Sequence, residues 1–200
     1  MFISRTMKNT EKDRNDKFDI KELLEFERFC RDNAQWDEMR KCFAKDSHIK
    51  ISWFEGTGDE FVTASQNMQS YAPHKINDTL IWVHGDRAIA IMMATIQIRK
   101  MIEDVEMELQ SDVKLVFHTQ RIYNIWYIAA MEGIYDKDSL IPVYQIPVEE
   151  FSKYRSSYAS LSYALATEGY KVDSKLPGRD CPETVVNLYE ECTKWLYAEA

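Results

Sequence analysis

Four histidines, His48, His74, His84 and His118, are the side chains best suited to exchange a proton near neutral pH, where an imidazole with an ordinary pKa of about 6.5 titrates. His118 lies in a long alternating stretch whose even-numbered members Asp112, Lys114 and Gln120 are polar, which puts it on the wetter or subunit-facing side of a strand. His48 reads as a strand-edge residue, and His84, followed by Gly85-Asp86, as a turn residue. His74 stands between Pro73 and Lys75, a setting that surface-loop histidines share. The run Asp136-Lys137-Asp138 is a lone Asp-x-Asp without the further oxygen ligands a divalent cation needs, so it reads as ion pairing at a strand exit and no metal is expected. Cys30, Cys42, Cys181 and Cys192 form no CxxC pair and no cluster with histidine, and read as reduced core thiols. No nucleotide-binding loop, G-x-S-x-G or H-E-x-x-H is present, which removes support from phosphoryl transfer, hydride transfer and zinc hydrolysis.

The elements that must position these groups follow from periodicity. Asp19 is placed to cap a helix through Ile20, Leu23, Leu24, Phe26, Phe29 and Cys30, and a short helix spans Trp36 to Phe43. His48–Phe54 alternates as a half-buried strand, and residues 59–68 read as a third helix. Strands follow at Ile76–Val83, Arg87–Met101 and from Val105 to about Gln120, with His84-Gly85-Asp86 and 121–124 as turns and Ile125–Tyr135 as the last strand. Phe151, Tyr154, Tyr158, Leu161 and Leu165 repeat at helical steps up to a stop at Gly169. Asp180, Pro182 and Glu183 then resemble a capping box for a helix from Val185 to Leu196. Helices laid across one face of long antiparallel strands make an α+β fold with a curved sheet. The expected organisation is a mobile leader at 1–17, one domain at 18–145, and a helical extension at 146–200 packed on that domain or on a second subunit.

Composition narrows the partners. The 200 residues suit one domain, 45% of them are hydrophobic, and 33 acids against 25 bases give a net charge of −8. Such a chain repels phosphate backbones, so nucleic acid is not expected. The apolar run Ile89–Ile96 is far too short to span a bilayer. The first seventeen residues lack the apolar core and cleavage site of a signal peptide, which reads as cytoplasmic.

Three stretches carry a resemblance to a known family: FERFCRDNAQWDEMRKCFAKDSHI, HKINDTLIWVHGDRAIAIMMA and IWYIAAMEGIYDKDSLIPV, together covering roughly residues 20–143. Their order resembles the SnoaL-like branch of the nuclear-transport-factor-like superfamily, and YRSSYASLSY with LPGRDCPE resembles the tail of one of its subgroups. The resemblance implies a cone with a deep pocket between sheet and helices, often in a homodimer packed through the sheet. Members include dehydratases, dehydrochlorinases, ketosteroid isomerases, epoxide hydrolases and polyketide cyclases, and others without known activity, so the fold does not decide the reaction. It also implies a pairing of Asp32, at the end of the first helix, with His74, at the entry to the second strand, the histidine as general base and the carboxylate as its orienting partner. Such chemistry needs no cofactor. The pocket of such a cone is lined by residues like Trp53, Tyr71 and Met92, with His118 and the hydroxyl of Tyr127 as further candidate contacts to a small apolar ligand. The expected function is a cofactor-independent lyase or isomerase. The alternatives are a binding module of the same fold, and a scaffold dimerising through its C-terminal helices.

Overall fold

Thr10 starts the first helix, well before Asp19. Its hydroxyl accepts the N–H of Asp13 at 3.1 Å, and the Asp13 carboxylate accepts the N–H of Thr10 at 2.8 Å, a reciprocal capping box that satisfies two otherwise orphan donors. Helix α1 therefore runs over Glu11–Asp32 in the computed structural model, which describes residues 4–68, 72–143 and 153–198. Residues 11–17 of the expected leader thus belong to this helix. Asp16 among them is buried, its two carboxylate oxygens bound at 2.7 Å each by the Arg121 guanidinium. That fork holds the Asp16 carboxyl down at about 2 against the upward push of burial.

The inward stripe of α1 also departs from the hydrophobic expectation. Ile20, Leu24 and Cys30 are buried as their spacing requires, but Phe26 and Phe29 face outward while Glu27 and Arg28 are buried. A buried ion pair in place of apolar bulk is costly unless it is well paired. Arg28 answers this with a two-pronged bond from Nε and Nη2 to the Glu27 carboxylate.

The other elements follow in order: α2 (Trp36–Arg40), β1 (Phe43–Ile51), β2 (Phe54–Gly56), α3 (Gly58–Gln66), β3 (His74–His84), β4 (Arg87–Ile102), β5 (Val105–Ile122) and β6 (Ile125–Pro142). A 3₁₀ turn at Ser156–Tyr158 leads into α4 (Ala159–Thr167), and α5 (Pro182–Tyr197) closes the chain. The sheet order is β2-β1-β6-β5-β4-β3. All neighbours are antiparallel except β1 and β6, which run parallel, so the curved sheet is mixed at that one pairing. Both long hairpins turn on two residues in the left-handed region, Glu103-Asp104 and Tyr123-Asn124, the backbone of type I′ turns that match strand twist. Arg121 consequently stays in β5 and is free to reach Asp16.

Two β-bulges shape β6. Thr119 faces Ile128 and His118 faces Ala130, so Ala129 is an extra residue; Val113 faces Tyr135 and Asp112 faces Lys137, so Asp136 is another. Each extra residue bends the strand and swaps the parity of its faces. The inner face therefore passes from Trp126 and Ile128 to Met131 and Tyr135, and these pack in the main core with α1, α3 and α4.

The outer face carries a second, smaller core. Ile89, Ile91, Val116 and Ile134 are covered by Leu188, Cys192 and Leu196 of α5, so this helix packs within its own chain. Its N-cap is Cys181, with Pro182 at the first helical position. Asp180 does not cap it and pairs with Arg155. Helix α4 is shorter than its apolar repeat suggests, and Phe151 lies outside the described residues. The helix stops at Gly169 with φ of 88°. There Tyr170 N–H reaches the Leu165 carbonyl and Gly169 N–H that of Ala166, a Schellman closure that suits glycine. None of the described helices is long and apolar enough to cross a membrane.

Candidate functional site

The last turns of α1 present Arg28, Arg31 and Asp32 toward the start of β3, since residues three and four apart share a helix face. Asp32 takes hold of His74 twice. One carboxylate oxygen accepts the His74 backbone N–H at 2.8 Å and the other lies 2.9 Å from Nδ1. Clamping the backbone and the ring together fixes the imidazole's orientation. It also assigns the proton to Nδ1 in the neutral form, leaving Nε2 with its lone pair free.

The His74 side chain is 5% exposed. Burial pulls its pKa down to about 4; the cations of Arg31 and Arg28 add to this, and the bond to Asp32 opposes it. Burial pushes Asp32 upward, but its hydrogen bonds from His74, with Arg28 nearby, hold it below the usual carboxylate range. The resting pair at neutral pH is thus a carboxylate and a neutral imidazole, a base poised to accept.

His74 opens on a small cavity between the sheet and the helices. Strands supply Ile96, Ile98, Leu115 and Met131, and Trp53 and Phe61 form a wall. Leu161 and Leu165 of α4 contribute from the C-terminal part of the chain. Its polar contributors are Arg28, Arg31, Ser52, His74 and Tyr135. The Tyr135 oxygen accepts the Ser52 N–H at 2.8 Å, which leaves the phenol proton available to donate. Burial raises this phenol to about 12, so it stays protonated.

Of the residues singled out from the sequence, the structure brings Asp32, His74 and Trp53 to this cavity region. Tyr71 lies outside the described residues. Met92 is on the inner face but fully buried in packed core, and the cavity wall takes Ile96 and Ile98 of the same strand instead. Tyr127 stands opposite Gln120, on the outer face before the Ala129 bulge, and so does not reach the cavity. The hydroxyl that does reach it belongs to Tyr135, beyond the bulge. His118 is on the outer face beneath α5, with Nε2 3.2 Å from the Cys192 thiol and its ring stacked on Trp195 at 4.5 Å. It is a packing residue of the second core, pulled down to about 4 by burial. His48 lies 3.5 Å from Glu55 at the surface, and His84 packs edge-on against Tyr197. Asp136 pairs with Lys114, Lys137 with Asp112, and Asp138 accepts the N–H of Leu161 at the start of α4. The Asp-Lys-Asp run therefore ties the strand exit to its neighbours. Arg28 and Arg31 went unmarked in the sequence, although their spacing from Asp32 already places them on its helix face.

The family model of the SnoaL-like domain matches residues 13–132. The chain belongs to this family. The matched SnoaL-like stretch includes Asp32 and His74 and ends before Tyr135 and α4. Among curated proteins, Pea pathogenicity protein 2 of Fusarium vanettenii is 26% identical, with 90% of this chain and 85% of that protein covered. An uncharacterized protein of Aspergillus terreus is 27% identical, over 86% of this chain and 73% of its own length. Among solved structures, a hexachlorocyclohexane dehydrochlorinase, LinA-type3 of Novosphingobium barchaimii, superposes with a TM-score of 0.58 at 13% identity, covering 70% of this chain and 99% of that one. At that identity the likeness establishes the SnoaL-like fold alone.

Proposed function

We propose that this protein is a cofactor-independent lyase or isomerase that abstracts a proton from a small, mostly apolar, carbonyl- or hydroxyl-bearing compound. The observation that carries the reading is the double clamp of Asp32 on His74 at the wall of a mainly apolar cavity. Nε2 of His74 removes a proton from carbon next to the carbonyl or beside the leaving group. The C–H electron pair becomes an enolate or a new double bond, and in an elimination hydroxide or halide departs. Asp32 retains Nδ1–H and stabilises the imidazolium that forms, an interaction strengthened by the low dielectric of the cavity. The Tyr135 phenol is the donor suited to a developing oxyanion. Support also comes from the dehydrochlorinase among the fold neighbours, whose name describes an elimination.

A homodimer in the cytoplasm is part of the same proposal. Its contact through the sheet has to accommodate α5, which occupies the outer face over β4, β5 and β6. Sedimentation of the full chain gives the mass.

The test is a turnover screen over small hydroxy-carbonyl and halogenated compounds with the wild type, Asp32→Asn and His74→Gln. An enzyme of this kind loses about 10²–10⁴ in turnover in each variant while retaining affinity. Variants that change affinity alone identify a binding module instead.

A further inference from the structure

Among the described residues, the cavity wall carries two guanidinium groups and no carboxylate, in a chain whose net charge is −8. Arg28 is 3% exposed. Its Nε and Nη2 are spent on Glu27, with Nη2 also 3.9 Å from the Met131 sulfur. None of these bonds uses Nη1, and the guanidinium lies over the Phe61 ring, 6.0 Å from its centroid. Arg31 is less well served than Arg28: it donates to the Ala72 carbonyl at 3.3 Å and the Met68 thioether at 3.4 Å. Its nearest carboxylate oxygen, on Asp32, is 3.6 Å away. Both Asp32 oxygens are already engaged by His74 at 2.8 and 2.9 Å. Burial accordingly lowers Arg31 to about 10, an unusual value for a guanidinium. Buried guanidinium donors that are only partly or weakly paired are costly, and a purely apolar ligand would leave them so.

We propose that the cavity is built for an acid: a ligand with an apolar body and one carboxylate, its oxygens held by Nη1 of Arg28 and the guanidinium of Arg31, beside the Asp32–His74 pair. The apolar body lies against Trp53, Leu115, Leu161 and Leu165. This deepens the functional reading by naming a substrate class and rests on the same cavity, but it concerns binding and holds whether or not His74 moves a proton.

The experiment is calorimetry at pH 7.5 with matched pairs: benzoate and benzamide, 3-phenylpropionate and its amide, octanoate and octanamide. Each pair has nearly the same shape and differs in charge. The expected result is that at least one acid binds about tenfold or more tighter than its amide, the size of a charge-assisted hydrogen bond. The preference disappears in the Glu27→Gln/Arg28→Gln double variant, which removes the guanidinium without stranding its buried partner, and shrinks in Arg31→Gln. A cooperative melt in both variants shows that the fold around the cavity is intact, and the acid loses more affinity there than its amide. Equal affinities within every pair, including no binding by either member, overturn the proposal. So does a preference that survives both variants. Loss of turnover in His74→Gln has no bearing on this result, so the two readings fail separately.

Discussion

Replacing Asp32 with asparagine keeps the shape of the side chain and removes one of its two acceptors. In the native protein those acceptors bind the His74 backbone N–H at 2.8 Å and Nδ1 at 2.9 Å. Asparagine satisfies one of them with its carbonyl and turns an NH₂ group toward the other. If the carbonyl keeps the backbone N–H, the amide NH₂ meets Nδ1, which must then become an acceptor and pass its proton to Nε2. A charge-assisted bond in a buried setting is worth about 1.5–3 kcal/mol, so a loss near 2 kcal/mol is expected in urea unfolding. The neutral tautomer switches from Nδ1–H to Nε2–H, which ring ¹⁵N shifts report directly, and the nitrogen facing the cavity ceases to be a base. The pKa of His74 also falls further below about 4, because the hydrogen bond and charge of Asp32 are what oppose burial there. An Asp32→Asn protein with unchanged stability and an Nδ1–H tautomer would refute the clamp.

Acid should loosen the fold before carboxylates titrate. His74 and His118 are both held near 4 in the folded chain, below the ordinary histidine value near 6.5, so the unfolded chain binds more protons between those limits. Stability is then level above about pH 6.5 and falls toward pH 4, by up to roughly 3 kcal/mol per histidine. Urea midpoints from pH 8 to 4.5 measure it, and His118→Gln should remove about half the slope. Arg28→Met leaves Glu27 buried without its counter-charge and should cost about 3–5 kcal/mol, with Glu27→Leu/Arg28→Met recovering much of it. Leu165→Ala opens the cavity beneath α4. It should cost about 2–3 kcal/mol in thermal unfolding and favour bulkier ligands in binding assays.

Long strands were the most legible part of this chain, because β4 and β5 keep one alternation from end to end and β5 holds its odd residues inward throughout. The bulge at Ala129 was not legible. It inserts one residue without glycine or proline to mark it, and so exchanges Tyr127 for Tyr135 as the hydroxyl at the cavity. Helix α1 was read short because Asp19 sits before an apolar run, whereas Thr10 with Asp13 makes the reciprocal cap. The pairing of Asp32 with His74 spans 42 residues and came from family resemblance, which local periodicity cannot supply. The even-numbered parity of His118 reads as a wetter or subunit-facing side, whereas that face is covered within the chain by Cys192 and Trp195 of α5, more than seventy residues away. Arg28 and Arg31 carried a readable helical spacing. Their burial was not legible, because burial of an arginine depends on partners the spacing does not reveal.

The claim at the centre is that His74 removes a proton bound to carbon. Hydrogen–deuterium exchange at the carbon next to the carbonyl, followed by NMR in D₂O for a panel of small carbonyl compounds, measures that step without requiring a complete reaction. The expected result is exchange accelerated by the wild type, nearly constant from pH 5 to 8 because His74 is already neutral there, and reduced about a hundredfold or more in a folded His74→Gln protein. Exchange that proceeds equally fast in His74→Gln, or that follows a group titrating near pH 6.5, would contradict it.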